Sequence, residues 1–339
     1  MTRSGPHKDD PPPFEPLPDN NVFSHQTHPS WHDAYARCTR LFFWAVGRQP
    51  PPGAASYDMC SRVLGHLVLE APTESGRDWV CKRILSCPDE QALARLAQKF
   101  IFTFIGAFKA SAGQSLSGGR DSSSLSSPGG GSAAGGLGGG AAHSNYQDNR
   151  ILVLERDAYK CTITGSLGAD SGPPAQGALL DVTLVIPPSV DIRTLSRYAG
   201  LSNDDPLCAP TPRFYRLENM LTLDDDVSDA FRSLNVWLEE EKQQRNGEYQ
   251  IVTWQSSAED SEESPRYTTA FTSTDLRTRP VPSVHYLRLH AACARVAHKS
   301  GAAAYIEELA RDIARLTVLA EDGSSAGVLA AALARAAAT

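Results

Sequence analysis

No histidine occurs between Ser144 and Val284 in this chain of 339 residues; the nine histidines lie at 7, 25, 28, 32, 66, 143, 285, 290 and 298. Chemistry that needs an imidazole from the middle of the chain must do without one. There is no CxxC pair. The seven cysteines (38, 60, 81, 87, 161, 208 and 293) are odd in number and thinly spread. That argues against a disulfide scaffold and a cysteine-rich zinc site, and it predicts a reducing, intracellular compartment, nucleus or cytoplasm. No apolar run approaches the roughly 18–20 residues of a membrane helix; the candidate at 41–46 (LFFWAV) is far too short, so no membrane partner is expected. The first residues lack a charged segment followed by an apolar one, so no secretory signal is expected. Positive charge is also scarce: 32 Lys and Arg stand against 39 Asp and Glu, a net charge of −7. This speaks against a polyanion-binding protein, while leaving room for a local basic patch.

What is present divides along the chain. Seven prolines fall within residues 1–30; proline fixes φ and lacks an N–H, which predicts an extended, mobile arm. Apolar residues then recur at helical spacing over 31–46, 55–70, 76–85 and 89–109, predicting a small helical domain over 31–109. The last segment is clearest, with an apolar stripe from Leu93 to Phe108 that includes Phe100, Phe102 and Phe104. Residues 110–143 hold 11 of the 26 glycines and nine serines. Such a stretch buries too little apolar surface to offset its ordering entropy, so 110–145 is expected to be a flexible linker.

Beyond it the texture changes. Alternation predicts a short strand at 159–164, and the β-branched run at 180–186 predicts a second, stopped by Pro187 and Pro188. Residues 217–223 lead into Asp224, Asp225 and Asp226, an acidic helix start. Segments 236–238, 249–254 and 268–272 read as a small returning sheet. Residues 283–296 and 302–319 read as helices broken at Ser300 and Gly301, and the tail from 321 is rich in alanine. The expected class is α+β.

Four ordered blocks, ILVLERDAYKCTITG (151–165), LDVTLVIP (180–187), RLENMLTLDDDVSDAFRSLNVWLE (216–239) and YQIV (249–252), resemble the HNH nuclease domains of many fungal proteins. The segment 281–303 resembles the stretch on the C-terminal side of the nuclease core in such proteins. The resemblance implies a ββα-metal core over 146–275, with a helical extension over 276–320. It also implies metal-dependent phosphodiester hydrolysis: one histidine as general base, a helix histidine on the metal, and an asparagine orienting the loop. Two of these three positions have changed. Leu184 stands at the base position in TLVIP, and Ser228 stands at the metal-histidine position in VSDAF; only Asn219, in ENMLTL, remains. Leucine accepts no proton, and a neutral hydroxyl is a poor ligand beside an imidazole.

Three readings are open, the third being a decaying gene copy with no selected function. In the first, the unit is catalytically degenerate, needs no metal, and works as a binding or scaffold module for a protein partner. Nucleic acid is disfavoured as that partner, because residues 151–255 carry nine cations against 16 acids. In the second, Asp181 and Asp229 supply a carboxylate site for Mg²⁺ or another divalent ion, and the protein still cleaves nucleic acid. Asn219 is either a catalytic remnant or a structural residue tying the turn before the helix, and the context favours the structural role. If the assigned register holds, Leu184 and Ser228 face each other across a small pocket near Asn219.

Overall fold

A computed structural model of the protein describes residues 15–18, 22–51, 53–111, 139–168, 179–240, 248–254 and 267–315. The class is α+β: helices together with two small antiparallel sheets. Helix α1 (Pro29–Trp44) starts on a proline, where a missing N–H costs nothing. Helices α2 (Tyr57–Leu69), α3 (Glu74–Leu85) and α4 (Glu90–Phe100) each start on a polar cap. Ser56, Thr73 and Asp89 accept from the backbone N–H groups of Met59, Gly76 and Ala92, satisfying donors the helix itself cannot. Helix α4 runs through a wide π turn, Ile101–Gly106, into α5 (Ala107–Ser111). All six residues of that turn are buried, which is why the aromatic stripe is too broad for one face of a regular helix.

Helix α6 (Gly139–Arg156) begins inside the span expected to be linker; residues 112–138 of that span, and the tail 321–339, lie outside the described residues. Strand β1 (Leu180–Leu184) pairs antiparallel with β2 (Met220–Asp224), Leu180 opposite Asp224 and Leu184 opposite Met220. Their long connection carries α7 (Ile192–Ala199). Strand β2 leads directly into α8 (Asp225–Arg232), capped by the Asp224 carboxylate on the Val227 N–H at 3.0 Å. A meander of β3 (Val236–Glu240), β4 (Glu248–Thr253) and β5 (Thr268–Ala270) follows, then α9 (Val284–Lys299) and α10 (Ala302–Arg315).

Two expectations need correcting. Residues 159–164 form a turn, not a strand: Ala158 and Tyr159 both take φ of 54°, and successive left-handed residues cannot lie in an extended strand. Its backbone instead lies along β2, with the Thr162 N–H donating to the Thr222 carbonyl at 2.9 Å. The second correction concerns the arm. Its residues 15–18 are docked: Glu15 N–H bonds the Lys299 carbonyl at 2.9 Å, and the Tyr35 hydroxyl donates to the Pro18 carbonyl at 2.7 Å. Leu17 lies over Gly65, where any Cβ would overlap it.

The segments the sequence divides share one apolar core, to which α1–α4, the π turn, α7, β2, α8, β3, α9 and α10 all contribute. A smaller cluster, including Tyr146, Val153, Val182, Leu184 and Met220, fills the space between α6 and the outer face of the β1–β2 hairpin. Among the described residues, no helix is long and apolar enough to cross a membrane.

His290 and His298 join α9 to the end of α8. Their Nε2–H groups donate to the carbonyls of Phe231 at 3.0 Å and Leu234 at 2.8 Å, and His290 stacks on the Phe231 ring. Burial disfavours the charged imidazole and holds both groups down at about 4. The unfolded chain binds these protons from about pH 6.5 downward. The stability they contribute is therefore full above that pH and is lost as pH falls toward 4, by about 2 kcal/mol for each at pH 5. His290→Gln keeps the donor and removes the titration. Urea unfolding of this variant should lose about 2 kcal/mol less than the parent between pH 7 and pH 5; an unchanged difference would show that His290 titrates as in water.

Candidate functional site

The sequence-derived site residues converge on the β1–β2 hairpin and α8. Successive side chains of a strand point to opposite faces. Asp181 and Thr183 face α8, whereas Val182 and Leu184 face α6. On α8, Ser228 and Arg232 are four apart and share the face turned to the hairpin. The result is a buried polar chain. Ser228 Oγ is hydrogen-bonded to Thr183 Oγ1 and lies 3.3 Å from Asp181 Oδ2. Arg232 Nη1 donates to the same Oδ2 at 2.8 Å, and its Nη2 donates to Asp229 Oδ1 at 3.0 Å. Asp181 is 2% exposed and Ser228 0%, while the Asp229 side chain is 59% exposed.

Leu184 and Ser228 are not brought together. Strand alternation puts the leucine in the apolar cluster under α6, and Thr183 is the residue that meets Ser228. A one-residue difference in register reverses the face. Neither position offers an imidazole. Asn219 is buried, and its amide is fully used: Oδ1 accepts from the Ile186 N–H, and Nδ2 donates to the Ile186 and Phe214 carbonyls, each at 2.9 Å. It ties the end of β1 to the start of β2. His290 and His298 bond carbonyls beyond this network, so neither of them takes the place of the missing histidines.

The residues do not fit a divalent ion. A hard cation takes about six or more oxygens with their charge available. Here the Arg232 guanidinium already lies between Asp181 and Asp229, pairs with both, and offsets one of their two negative charges. Elsewhere, the side chains of His25, His32 and Asp33 bring one ligand atom each within 4.8 Å of one another. That trio sits at the entry to α1 and shares no residue with the hairpin–helix unit.

Sequence reasoning passed over three side chains. Thr183 was readable as the residue two along from Asp181 in a strand, and Arg232 as the helix position four after Ser228. Arg156 carried no such signal. Its side chain is 0% exposed and donates to the carbonyls of Leu217 (3.0 Å), Pro280 (3.1 Å) and Met220 (2.8 Å) while pairing with Asp157 at 2.7 Å. Asp157 in turn accepts the Thr222 N–H at 3.1 Å. Together they lock the end of α6 beneath β2.

No family model, curated protein or solved structure matches the chain.

Proposed function

We propose that residues 146–275 are an HNH-like hairpin–helix unit that has exchanged its catalytic centre for a buried ion pair, and that the protein works by binding a protein partner rather than by cutting nucleic acid. The observation carrying this reading is Arg232 between Asp181 and Asp229. A guanidinium there holds both carboxylates and offsets one of their two charges, without supplying a Lewis acid or an activated water. Ser228 and Thr183 complete the network with neutral hydroxyls. No general base stands at the end of β1, where Leu184 packs into the core.

The rival reading, hydrolysis through carboxylate-held Mg²⁺, draws on Asp181 Oδ1, a buried oxygen with no hydrogen-bond partner among the described residues. One open oxygen beside a guanidinium falls well short of a hard-cation site. Supercoiled plasmid, single-stranded DNA and RNA, incubated with the protein and Mg²⁺ or Mn²⁺, should stay intact. The double variant Thr183→His, Ser228→His tests the face identified by strand alternation, and Leu184→His, Ser228→His tests the aligned one. Cleavage by the unmodified protein that disappears in Asp229→Asn would overturn the degenerate reading. Metal titrations should be run in a His25→Ala, His32→Ala background, so that the separate trio does not report.

A further inference from the structure

A cleft of about 340 Å³ opens between the C-terminal ends of α3 and α4 and the helix α7. Arg83, Lys99, Arg193 and Arg197 line it, with Asp191 as the only carboxylate among the described residues and Trp79 as an aromatic wall. The four cations are exposed and form no ion pair among the described residues. Asp191 is already engaged, accepting the Thr194 hydroxyl at 2.6 Å and capping α7. In a chain of net charge −7, four unpaired cations in one concavity repel each other unless an anion joins them.

Helix stability explains only some of them. Arg83 and Arg197 lie in the last turns of α3 and α7, and Lys99 in that of α4, where cations complement the helix dipole. Arg193 is in the first turn of α7, where the dipole disfavours a cation, and the Asp191 carboxylate at the N-cap is spent on the Thr194 N–H and hydroxyl rather than on an ion pair with it. The cleft walls are also fixed. Thr73 Oγ1 donates to the Ala199 carbonyl and the Tyr198 hydroxyl to the Leu67 carbonyl, each at 3.2 Å. A Cβ at Gly76 would overlap the Tyr198 carbonyl oxygen, so α3 and α7 touch backbone to backbone. A preformed cationic cleft loses little to ordering when it binds.

We propose that this cleft binds a nucleoside diphosphate. The volume is at the small end for ligand sites, too small for a duplex and sufficient for one nucleotide. Guanidinium groups pair with phosphate oxygens in two-pronged fashion, and the half-buried Trp79, held edge-on against Phe100 at 6.1 Å, offers an indole on which a base can stack. Four cations less one carboxylate leave an excess of three positive charges, complementary to a diphosphate carrying about three negative ones. The inference is independent of whether the hairpin–helix unit is catalytic.

Calorimetric titration with ADP, GDP, pyrophosphate, adenosine and a short single-stranded DNA tests it. ADP or GDP should bind in the micromolar range, more tightly than pyrophosphate, and adenosine should bind weakly. Arg193→Glu and Arg197→Glu should each weaken ADP by about 10- to 100-fold, while their melting temperatures move only slightly and in opposite directions, up for Arg193→Glu at the start of α7 and down for Arg197→Glu at its end. Trp79→Leu should bring ADP down to the affinity of pyrophosphate. Absence of ADP and GDP binding at millimolar concentration, or affinity unmoved by both charge reversals, would overturn the proposal. Tight binding of the DNA strand without binding of either diphosphate would overturn it in favour of a strand.

Discussion

Replacing Asp181 with alanine is expected to lower the unfolding free energy by about 3–5 kcal/mol, because it removes the buried partner of the Arg232 guanidinium and leaves it only the exposed Asp229 carboxylate. Arg232 is 7% exposed, so water cannot take over the role of the carboxylate. Ser228 loses an acceptor in the same step. Asp229→Ala provides the contrast: its carboxylate is exposed, and its removal should cost less than about 1 kcal/mol. The double variant Asp181→Leu, Arg232→Met should recover most of the loss, since a buried pair exchanged for apolar residues of similar volume is often neutral. Urea unfolding of the four proteins measures all three quantities. A small cost for Asp181→Ala, equal to that of Asp229→Ala, would mean that the pair is not the structural centre of the hairpin–helix unit.

Arg156→Ala should be at least as severe, on the order of 5 kcal/mol. It removes a donor from the carbonyls of Leu217, Met220 and Pro280, of which Leu217 keeps the Met220 N–H, and leaves Asp157 as a buried charge whose side chain is 4% exposed. Arg156→Lys should recover little. One ammonium on a flexible stem cannot reach three carbonyls and a carboxylate that a planar five-donor fork spans together. The loss should appear first at the join of α6 and β2, so amide exchange of Thr222, whose N–H bonds Asp157, should accelerate more than exchange across β3 and β4. Equal acceleration in both places would show that Arg156 contributes only to global stability.

Much of the helical architecture was legible in the sequence because caps and stripes agree: Asp89 before the stripe at Leu93–Phe108, and Ser283 before α9. Strand β1 and α8 were legible because a β-branched run, two prolines and an acidic triplet stand in order; β2 was read only as the lead into α8. The turn at 159–164 was not. Tyr159, Cys161 and Ile163 alternate as a strand would, and nothing in those letters reveals positive φ at Ala158 and Tyr159. Helix α7 has eight residues, too few for a period of 3.6 to declare itself. At the site, matching letters to a family pattern aligned Leu184 with Ser228, whereas the period of two in a strand assigns the shared face to Thr183 and Asp181. The cationic cleft was beyond reach altogether, because Arg83 and Arg193 meet only after α7 has folded back onto α3.

That folding back bears on how the chain could have been assembled. The connection from β1 to β2 sends α7 into the N-terminal helices, where Thr73, Gly76 and Leu67 receive it. A hairpin–helix unit excised at residue 146 would leave with Leu195 and Tyr198 bared and their partners behind. The unit is therefore not a transferable cassette. Recombination that moves it into another protein must carry the helical half with it, or replace α7 at the same time.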